Sequence, residues 1–171
     1  LYDNPIVVFR EYVQNSVDSI FNEEHKDLCE IKIWTSDTDL FFLDNGKGIV
    51  EDEFREKMIT IGDSNKIKQK NLGYKGIGRL SGVPYCAKLT FVNILDYSNK
   101  KVQLYTIDGS LYEKTKNDQQ DKNLSFDELM DKIGSYSENI DSESDKQIFD
   151  GLVKYSNVLL KTNTGFLVAL R

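Results

Sequence analysis

Three short motifs, each expected in a different structural element, constrain the fold of this chain more than any other feature. In chain order they are Glu11-x-x-x-Asn15-x-x-Asp18, Asp44-Asn45-Gly46-Lys47-Gly48 and Gly73-Tyr74-Lys75-Gly76-Ile77-Gly78. Helical periodicity surrounds the first motif, a predicted strand ends at the second, and a short predicted helix follows the third. If the motifs act together, the fold must place one helix face, one strand end and one glycine-rich turn around a common site.

The first motif lies on a helix that we predict from Asn4 to about Glu24. The Asn4 side chain can cap the free N–H groups of the first turn, where Pro5 is tolerated because a missing N–H costs nothing there. At about 100° per residue, one side of this helix is apolar and is expected to be buried against a sheet. The residues of this apolar stripe are Ile6, Phe9, Val13, Val17 and Ile20.

Glu11, Asn15 and Asp18 share the opposite face of this helix within about 60°. Two carboxylates and an amide therefore project together. Mg2+ takes one or two protein oxygens and keeps most of its other positions for water and phosphates, so this set suits it. A neighbouring glutamate can orient or deprotonate an attacking water. Taken alone, the pattern also fits the solvated face of an amphipathic helix, and the other two motifs favour the site.

The second motif follows two predicted strands, Glu30–Trp34 and the more deeply buried Asp39–Leu43. Asp44 stands where the second strand ends in a turn. Asn45–Gly46 and Lys47–Gly48 are expected to supply positive φ angles and a bare backbone, as a tight turn or a planar ligand close to it requires. A carboxylate at this point can accept a hydrogen bond from an exocyclic amine. The alternative is an ordinary turn between strands.

The third motif, Gly73–Gly78, precedes a short predicted helix at Arg79–Ser81, which Gly82 and Pro84 are expected to end. Glycines that lead into a helix N-terminus leave N–H groups free, and the helix dipole adds positive charge that favours phosphate oxygens. Between residues 64 and 80 there are five basic residues and no Asp or Glu, in a chain of net charge −6. The basic residues are Lys66, Lys68, Lys70, Lys75 and Arg79. This patch suggests a small anionic ligand, the alternative being a soluble loop.

Together these segments resemble the first three motifs of the GHKL superfamily, which comprises gyrase B subunits, ninety-kilodalton heat-shock chaperones, histidine kinases and MutL proteins. The segments that carry the resemblance are Arg10–Asp18, Asp44–Ile49 and Gly73–Gly78. The resemblance implies the Bergerat ATP-binding fold, an α/β (α+β) two-layer sandwich with a mixed, mostly antiparallel sheet covered by helices on one face. It also implies that ATP with Mg2+ lies between the helices and the sheet.

The resemblance implies a role for each motif residue. Glu11 corresponds to the general base, Asn15 to the Mg2+ ligand and Asp44 to the carboxylate that binds adenine. A lid over the phosphates is expected at about residues 50–78. Further residues implied to contact the nucleotide or to line its pocket are Asp18, Gly46, Gly48, Lys66, Gly73, Gly76, Ile77 and Gly78.

The last strand carries a further motif of the family, a Gly-Thr pair that touches the adenine. Two registers are open in this chain. Thr164 could take the part of the threonine, or Gly165 could match the family glycine, in which case Phe166 replaces the threonine.

The branch of the superfamily depends on the lid. Ile61–Lys66 and Leu72–Gly78 are similar to the lids of heat-shock-chaperone-like and microrchidia-like ATPases, and Ser64–Ile67 with Leu72–Gly76 is similar to the MutL lid. Histidine kinases fit worst. They need a phosphoacceptor histidine, and the sole histidine of this chain, His25, lies just past the first helix, inside the nucleotide domain. We expect slow ATP hydrolysis in a heat-shock-chaperone-like domain whose lid and dimer state respond to nucleotide. The alternatives are a MutL-like or microrchidia-like DNA-handling machine and a non-hydrolysing, nucleotide-gated interaction module. Overall acidity argues against DNA contact by this domain itself.

The second half of the chain is predicted to form framework elements. Its strands are Lys88–Leu95, Val102–Ile107 and Thr164–Leu170. Ser125 and Glu128 form a capping box for a helix ending near Ile133, and a second helix is predicted over about 145–159. A polar loop or insert is expected at about 114–124, and a solvated acidic linker at 135–145.

The length of 171 residues suits a single domain over residues 1–171. Two cysteines, Cys29 and Cys86, are too few for a disulfide-dependent secreted domain, and no apolar run is long enough to cross a bilayer. We therefore expect a cytoplasmic protein without membrane contact. Because the chain begins at Leu1 and ends after the last predicted strand, we expect an excised N-terminal part of a longer protein. We expect this part to bind ATP or ADP and the full-length protein to form a homodimer.

Overall fold

The computed structural model describes residues 4–21, 23–60, 78–117, 124–141 and 143–171. Its centre is a six-stranded sheet with the strand order β1-β2-β6-β3-β4-β5, in which neighbouring strands run antiparallel. The strands are β1 Ile31–Ser36, β2 Asp39–Asp44, β3 Lys88–Asp96, β4 Lys101–Asp108, β5 Gly134–Ser137 and β6 Gly165–Leu170. The last strand of the chain thus lies in the middle of the sheet, between β2 and β3.

Helices precede, connect and follow these strands. They are α1 Ile6–Phe21, α2 Glu51–Ile59, α3 Gly109–Asn117, α4 Phe126–Ile133, α5 Lys146–Lys154 and α6 Ser156–Thr162, with short 3-10 helices at Lys26–Leu28 and Gly78–Tyr85. None of the described helices is long and apolar enough to cross a membrane. The predicted α+β architecture with a mostly antiparallel sheet is confirmed.

Two apolar clusters hold the helices on the sheet. The larger cluster joins α1, α2, α4 and the Gly78–Tyr85 helix to one face of the sheet, where Phe42, Phe91 and Val168 lie. The smaller cluster joins α5 and α6 to the other face, where Phe41 and Leu167 lie. The second layer exists because β2 and β6 are apolar on both faces, so each face needs a cover. The structure therefore adds helices on a face that the resemblance left open.

Local signals predicted several element boundaries correctly. The Asn4 Oδ1 accepts a hydrogen bond from the Ile6 N–H at 3.0 Å, as expected for the start of α1. The capping box of α4 is present, because Ser125 accepts from the Glu128 N–H and Glu128 accepts from the Ser125 N–H. The hairpin of β3 and β4 and the final strand also lie where they were predicted.

The predicted buried stripe of α1 is only partly correct: Val13 packs against the larger cluster and Phe9 contacts the Phe42 ring, but the buried line of the helix lies elsewhere. Its buried residues are Val8, Tyr12 and Ser16, whereas Ile6 is 67% exposed and Phe9 and Val17 are each 42% exposed. The physical reason is that the buried Tyr12 hydroxyl bonds to the backbone of the Gly78–Tyr85 helix. This contact rotates α1 away from the orientation that apolar residues alone would favour.

Three other expectations about the framework need correction. The linker predicted at 135–145 begins with β5, which pairs with β4 from Gly134 to Ser137. The helix predicted over 145–159 is divided at Tyr155 into α5 and α6. The polar segment predicted at 114–124 is still helical to Asn117, and residues 118–123 lie outside the described residues. For β5 the physical reason is its pairing with the edge of β4, a contact distant in sequence.

Candidate functional site

Asp44 forms the buried end of β2 and the centre of the candidate site. Asp44 is 2% exposed, and its Oδ1 accepts a hydrogen bond from the Gly46 N–H at 3.0 Å. Burial raises the pKa of the Asp44 carboxyl to about 6, while hydrogen bonds from the Ser16 hydroxyl and the Gly46 N–H oppose this rise. Ser16 comes from α1, so α1 and the end of β2 form one wall. A buried carboxylate with few donors can accept a hydrogen bond from a ligand amine.

The turn after Asp44 is tightly packed, and not every residue that was expected to have a positive φ angle has one. Gly48 has a φ of +67°, whereas Asn45 and Gly46 have no positive φ, so the expectation for that pair is wrong. A Cβ on Gly46 would lie 2.4 Å from the Ser19 Oγ. Gly46 is therefore required by the close approach of α1, and Gly48 by its left-handed backbone.

Asn45 has a structural role in this turn. It is 0% exposed, and its Oδ1 accepts from the Glu30 N–H at 2.6 Å. Its Nδ2 donates to the Leu28 carbonyl at 3.1 Å and to the Val158 carbonyl at 3.0 Å. These bonds hold the segment before β1 and the α6 helix against the end of β2, so the Asn45 side chain is occupied by the framework.

Glu11 lies against the end of the third motif. Its side chain is 15% exposed, and its Oε1 pairs with the Arg10 guanidinium at 2.7 Å. A Cβ on Gly78 would lie 2.2 Å from the Glu11 Oε2. The carboxylate therefore touches the backbone where the Gly78–Tyr85 helix begins. The first and third motifs meet at this point, as predicted from the sequence.

Asn15 and Asp18 lie further along the same helix and are exposed to solvent. The Asp18 carboxylate accepts a hydrogen bond from the Gln14 Nε2 at 2.9 Å. Among the described residues, no group of three or more His, Cys, Asp or Glu side chains could hold a metal alone. An oxygen donor such as Asn15 suits an ion whose remaining ligands are water and phosphate.

Tyr12 fixes the position of α1 next to Glu11. Its residue is 1% exposed, its hydroxyl donates to the Arg79 carbonyl at 2.8 Å, and it accepts from the Gly82 N–H at 3.0 Å. Burial raises the pKa of Tyr12 far above its ordinary value, so the hydroxyl stays protonated. This contact joins α1 to the Gly78–Tyr85 helix, which continues through Gly82 and Pro84 instead of ending there as predicted.

Arg79 directly follows Gly78, and its side chain contacts the end of α2. Its guanidinium donates to the carbonyls of Met58 and Thr60 at the C-terminal end of α2. Burial lowers the pKa of Arg79 to about 10. A cation at a helix C-terminus is favoured by the helix dipole. Arg79 therefore ties α2 to the Gly78–Tyr85 helix.

Most of the third motif and of the lid predicted at about 50–78 lies outside the described residues. The predicted site residues there are Lys66, Gly73, Gly76 and Ile77. Of that motif the structure describes Gly78, and of the lid it describes the segment 50–60 with α2.

The start of β6 completes the wall next to Asp44. The Thr164 Oγ1 donates to the Gly46 carbonyl at 3.0 Å, and a Cβ on Gly165 would lie 2.4 Å from the Asp44 carbonyl oxygen. Phe166 pairs with Asp44 on β2 and with Asn93 on β3, so these three side chains share one face of the sheet. Phe166, rather than Thr164, is therefore the residue of β6 that lies next to the Asp44 side chain.

Sequence reasoning missed two polar residues of this site. Ser16 directly follows Asn15 and was not singled out, although its place one turn from Tyr12 puts it on the buried line of α1. Asn93 interrupts the apolar run of β3 at 0% exposure. Asn is disfavoured in strand interiors, so its presence there was an available signal.

Two comparisons relate this chain to known proteins. Residues 3–140 match the family model described as histidine kinase-, DNA gyrase B- and HSP90-like ATPase. The chain is also similar to the crystal structure of the ATPase and transducer domains of DNA topoisomerase II from Balamuthia mandrillaris, at 12% identity and a TM-score of 0.49. That match covers 96% of this chain and 36% of the other, so this chain spans about a third of it. No curated protein sequence matches the chain.

Proposed function

Because the chain belongs to the histidine kinase-, DNA gyrase B- and HSP90-like ATPase family, we propose that it binds ATP with Mg2+ and hydrolyses it slowly. The observation that carries this proposal is the Asp44 carboxylate, which is buried at the end of β2 between α1 and β6. An ionised carboxylate in such a place is stable only with donors around it, and an exocyclic amine of adenine supplies one.

The other residues of the site have separate roles in this proposal. Glu11 takes a proton from the attacking water, and the absence of a side chain on Gly78 leaves room for its carboxylate. Asn15 would offer its amide oxygen to Mg2+, and the ion would neutralise charge on the phosphates. Asp18, Lys66, Gly73, Gly76, Ile77 and Gly78 are the further residues assigned to the nucleotide. Gly46 and Gly48 bring the backbone close to the base.

The residues present fit a nucleotide on two structural grounds. Gly46 keeps the backbone bare next to the Asp44 carboxylate, since a Cβ there would lie 3.0 Å from the Asp44 Oδ1. The Gly78 backbone lies against Glu11 without a side chain between them. A base near the first and phosphates near the second would lie along α1, between the helices and the sheet. Thr164 bonds the Gly46 carbonyl, so its contribution is to the turn.

Asp44→Asn tests the adenine assignment. We expect the variant to bind ADP at least about tenfold more weakly in calorimetric titration, because the amide presents a donor where the carboxylate accepts. Asp39→Asn is the matched control, since Asp39 is a buried carboxylate at the other end of β2. Equal ADP binding by the Asp44 variant and the unchanged protein would remove the assignment.

Glu11→Ala tests the assignment of the base. We expect ATP binding to persist while turnover falls by at least about a hundredfold, the usual contribution of a positioned general base. Glu24→Ala, an exposed change just past the same helix, controls for loss of charge. Turnover by the Glu11 variant at the rate of the unchanged protein would show that Glu11 is not the base.

We further propose that the domain belongs to a heat-shock-chaperone-like ATPase that acts in the cytoplasm as a homodimer. The support is the lid sequence at Ile61–Lys66 and Leu72–Gly78 and the presence of two free cysteines. Single-turnover hydrolysis by a longer form of the protein, with an unfolded protein or with duplex DNA, tests this branch. Stimulation by DNA alone would favour the MutL-like or microrchidia-like alternative. Nucleotide binding without turnover would favour a nucleotide-gated interaction module.

A further inference from the structure

We infer that Asn93, supported by Gln103, is the positioning residue that holds the Gly48 turn in its binding geometry. This inference rests on the proposed nucleotide site, to which it adds residues of β3 and β4. Asn93 is 0% exposed in the middle of β3, and its neighbours Val92 and Ile94 point into the cluster on the opposite face. A buried amide at such a position is costly unless all its groups are bonded.

The Asn93 side chain makes a two-point contact with the backbone of a single residue. Its Oδ1 accepts from the Ile49 N–H at 2.9 Å, and its Nδ2 donates to the Ile49 carbonyl at 2.8 Å. The amide therefore acts as a peptide group from a neighbouring strand would act. Because one end accepts and the other donates, the contact fixes both the position and the direction of the chain at Ile49.

Asn93 also touches the left-handed residue that precedes Ile49. A Cβ on Gly48 would lie 2.7 Å from the Asn93 Oδ1 and 3.1 Å from the Gly165 carbonyl oxygen. The Gly48 backbone is therefore confined between β3 and the first residue of β6. In the sheet, Asn93 is opposite Phe166, which is opposite Asp44. The amide and the proposed base-binding carboxylate thus lie in one row across three strands.

Gln103 extends this contact to the helix that follows the turn. Its Oε1 accepts from the Asn93 Nδ2 at 3.0 Å, and its Nε2 donates to the Glu51 carbonyl at 2.9 Å. The same Nε2 also bonds to the Tyr136 hydroxyl of β5 at 3.1 Å. Glu51 is the first residue of α2. The two amides therefore fix both the end of the turn and the start of α2 against the sheet.

Loss of these bonds should weaken nucleotide binding because it lowers the fraction of molecules whose Gly48 turn has the binding geometry. When only a fraction of molecules has the binding geometry, the dissociation constant rises by the inverse of that fraction. Removal of the Asn93 amide deletes both bonds to Ile49 and leaves the Gln103 Oε1 without its donor. Two hydrogen bonds of ordinary strength correspond to about a thirtyfold change in an equilibrium. The framework of β3 and β6 keeps its backbone pairing.

The test compares Asn93→Ala with Thr90→Ala by ADP titration and by hydrogen exchange. Thr90 is also 0% exposed on β3, and it bonds the Thr106 and Arg171 side chains away from the turn. We expect ADP binding to weaken by about thirtyfold in the Asn93 variant and by less than about twofold in the Thr90 variant. Amide exchange over residues 48–51 should accelerate in the Asn93 variant alone.

Gln103→Leu provides a second variant if the first does not fold. It removes the bond to the Glu51 carbonyl and should weaken ADP binding by about threefold to tenfold. Equal ADP affinity and equal exchange at residues 48–51 in the Asn93 and Thr90 variants would overturn the positioning role while the proposed function stands. If the unchanged protein binds no adenine nucleotide, the proposed function fails and the inference fails with it.

Discussion

Replacement of Asp44 by Asn should stabilise the folded protein while it weakens nucleotide binding. Burial raises the pKa of the Asp44 carboxyl from an ordinary value of 3.8 to about 6. The ionised group is therefore less stable in the folded state than in the unfolded chain. At about 1.36 kcal/mol for each pH unit, this difference corresponds to about 3 kcal/mol of destabilisation at neutral pH.

The sign of the pH dependence follows from proton uptake. Between about pH 4 and pH 6 the folded protein holds a proton on Asp44 that the unfolded chain has lost, so this group lowers the stability as the pH rises. Above about pH 6 both states are ionised and the full destabilisation is present. An asparagine has the same shape, still accepts from the Gly46 N–H or the Ser16 hydroxyl, and carries no charge.

Urea denaturation of the unchanged protein, Asp44→Asn and the Asp39→Asn control, at about pH 4.5 and pH 8, measures the effect. The difference between the Asp44 variant and the unchanged protein cancels the titration of the other carboxylates. We expect the variant to gain about 1–3 kcal/mol at pH 8 and much less at pH 4.5, since part of the gain is offset by weaker hydrogen bonds. The argument that burial destabilises the ionised Asp44 carboxylate would be refuted if the variant were less stable than the unchanged protein at pH 8 and the difference in stability did not change with pH.

Three further predictions follow from the site geometry. ADP affinity should fall as the pH falls through about 6, by at most about tenfold per pH unit, because a protonated Asp44 is a poorer acceptor. Calorimetry at constant ionic strength measures this affinity, and an affinity that does not change with pH would contradict the prediction. Gly78→Ala should lower ATP turnover by at least about tenfold with little loss of stability, since its Cβ would displace only the flexible end of Glu11; unchanged turnover would separate Gly78 from the base. Tyr12→Phe should lower the free energy of unfolding by about 1–3 kcal/mol, because the Arg79 carbonyl and the Gly82 N–H lose their partner, and urea denaturation measures it.

Elements with local signals could be predicted from the sequence. The capping box at Ser125 and Glu128 satisfies groups within one helical turn, so its residues alone specify where α4 begins. The strand pattern of β2 is similarly local, whereas the turn after Asp44 depends on contacts of Asn45 with Leu28 and Val158. In contrast, β5 is a short polar segment that is a strand because β4 offers it an unpaired edge. No local pattern predicts such an edge strand.

The α1 helix illustrates the same limit within a correctly predicted element. Its apolar residues predicted one buried side, and the structure buries another, because the hydroxyl of Tyr12 bonds to a helix that begins more than sixty residues later. Glu11 still lies next to Gly78, since the buried line and the polar face are adjacent on the helix. The meeting of the first and third motifs was therefore predictable, but the packing that produces it was not.

The sequence by itself determined the chemistry of this protein: a carboxylate and an amide on one helix face, a carboxylate at a strand end, and glycines where backbone must come close. Only the tertiary structure decided which groups face one another. The sheet register places Phe166 next to Asp44 and leaves Thr164 to the Gly46 carbonyl. It also places the Asn93 amide on the Ile49 backbone. The reason is physical, since contacts across strands depend on register, and register depends on the whole packed sheet.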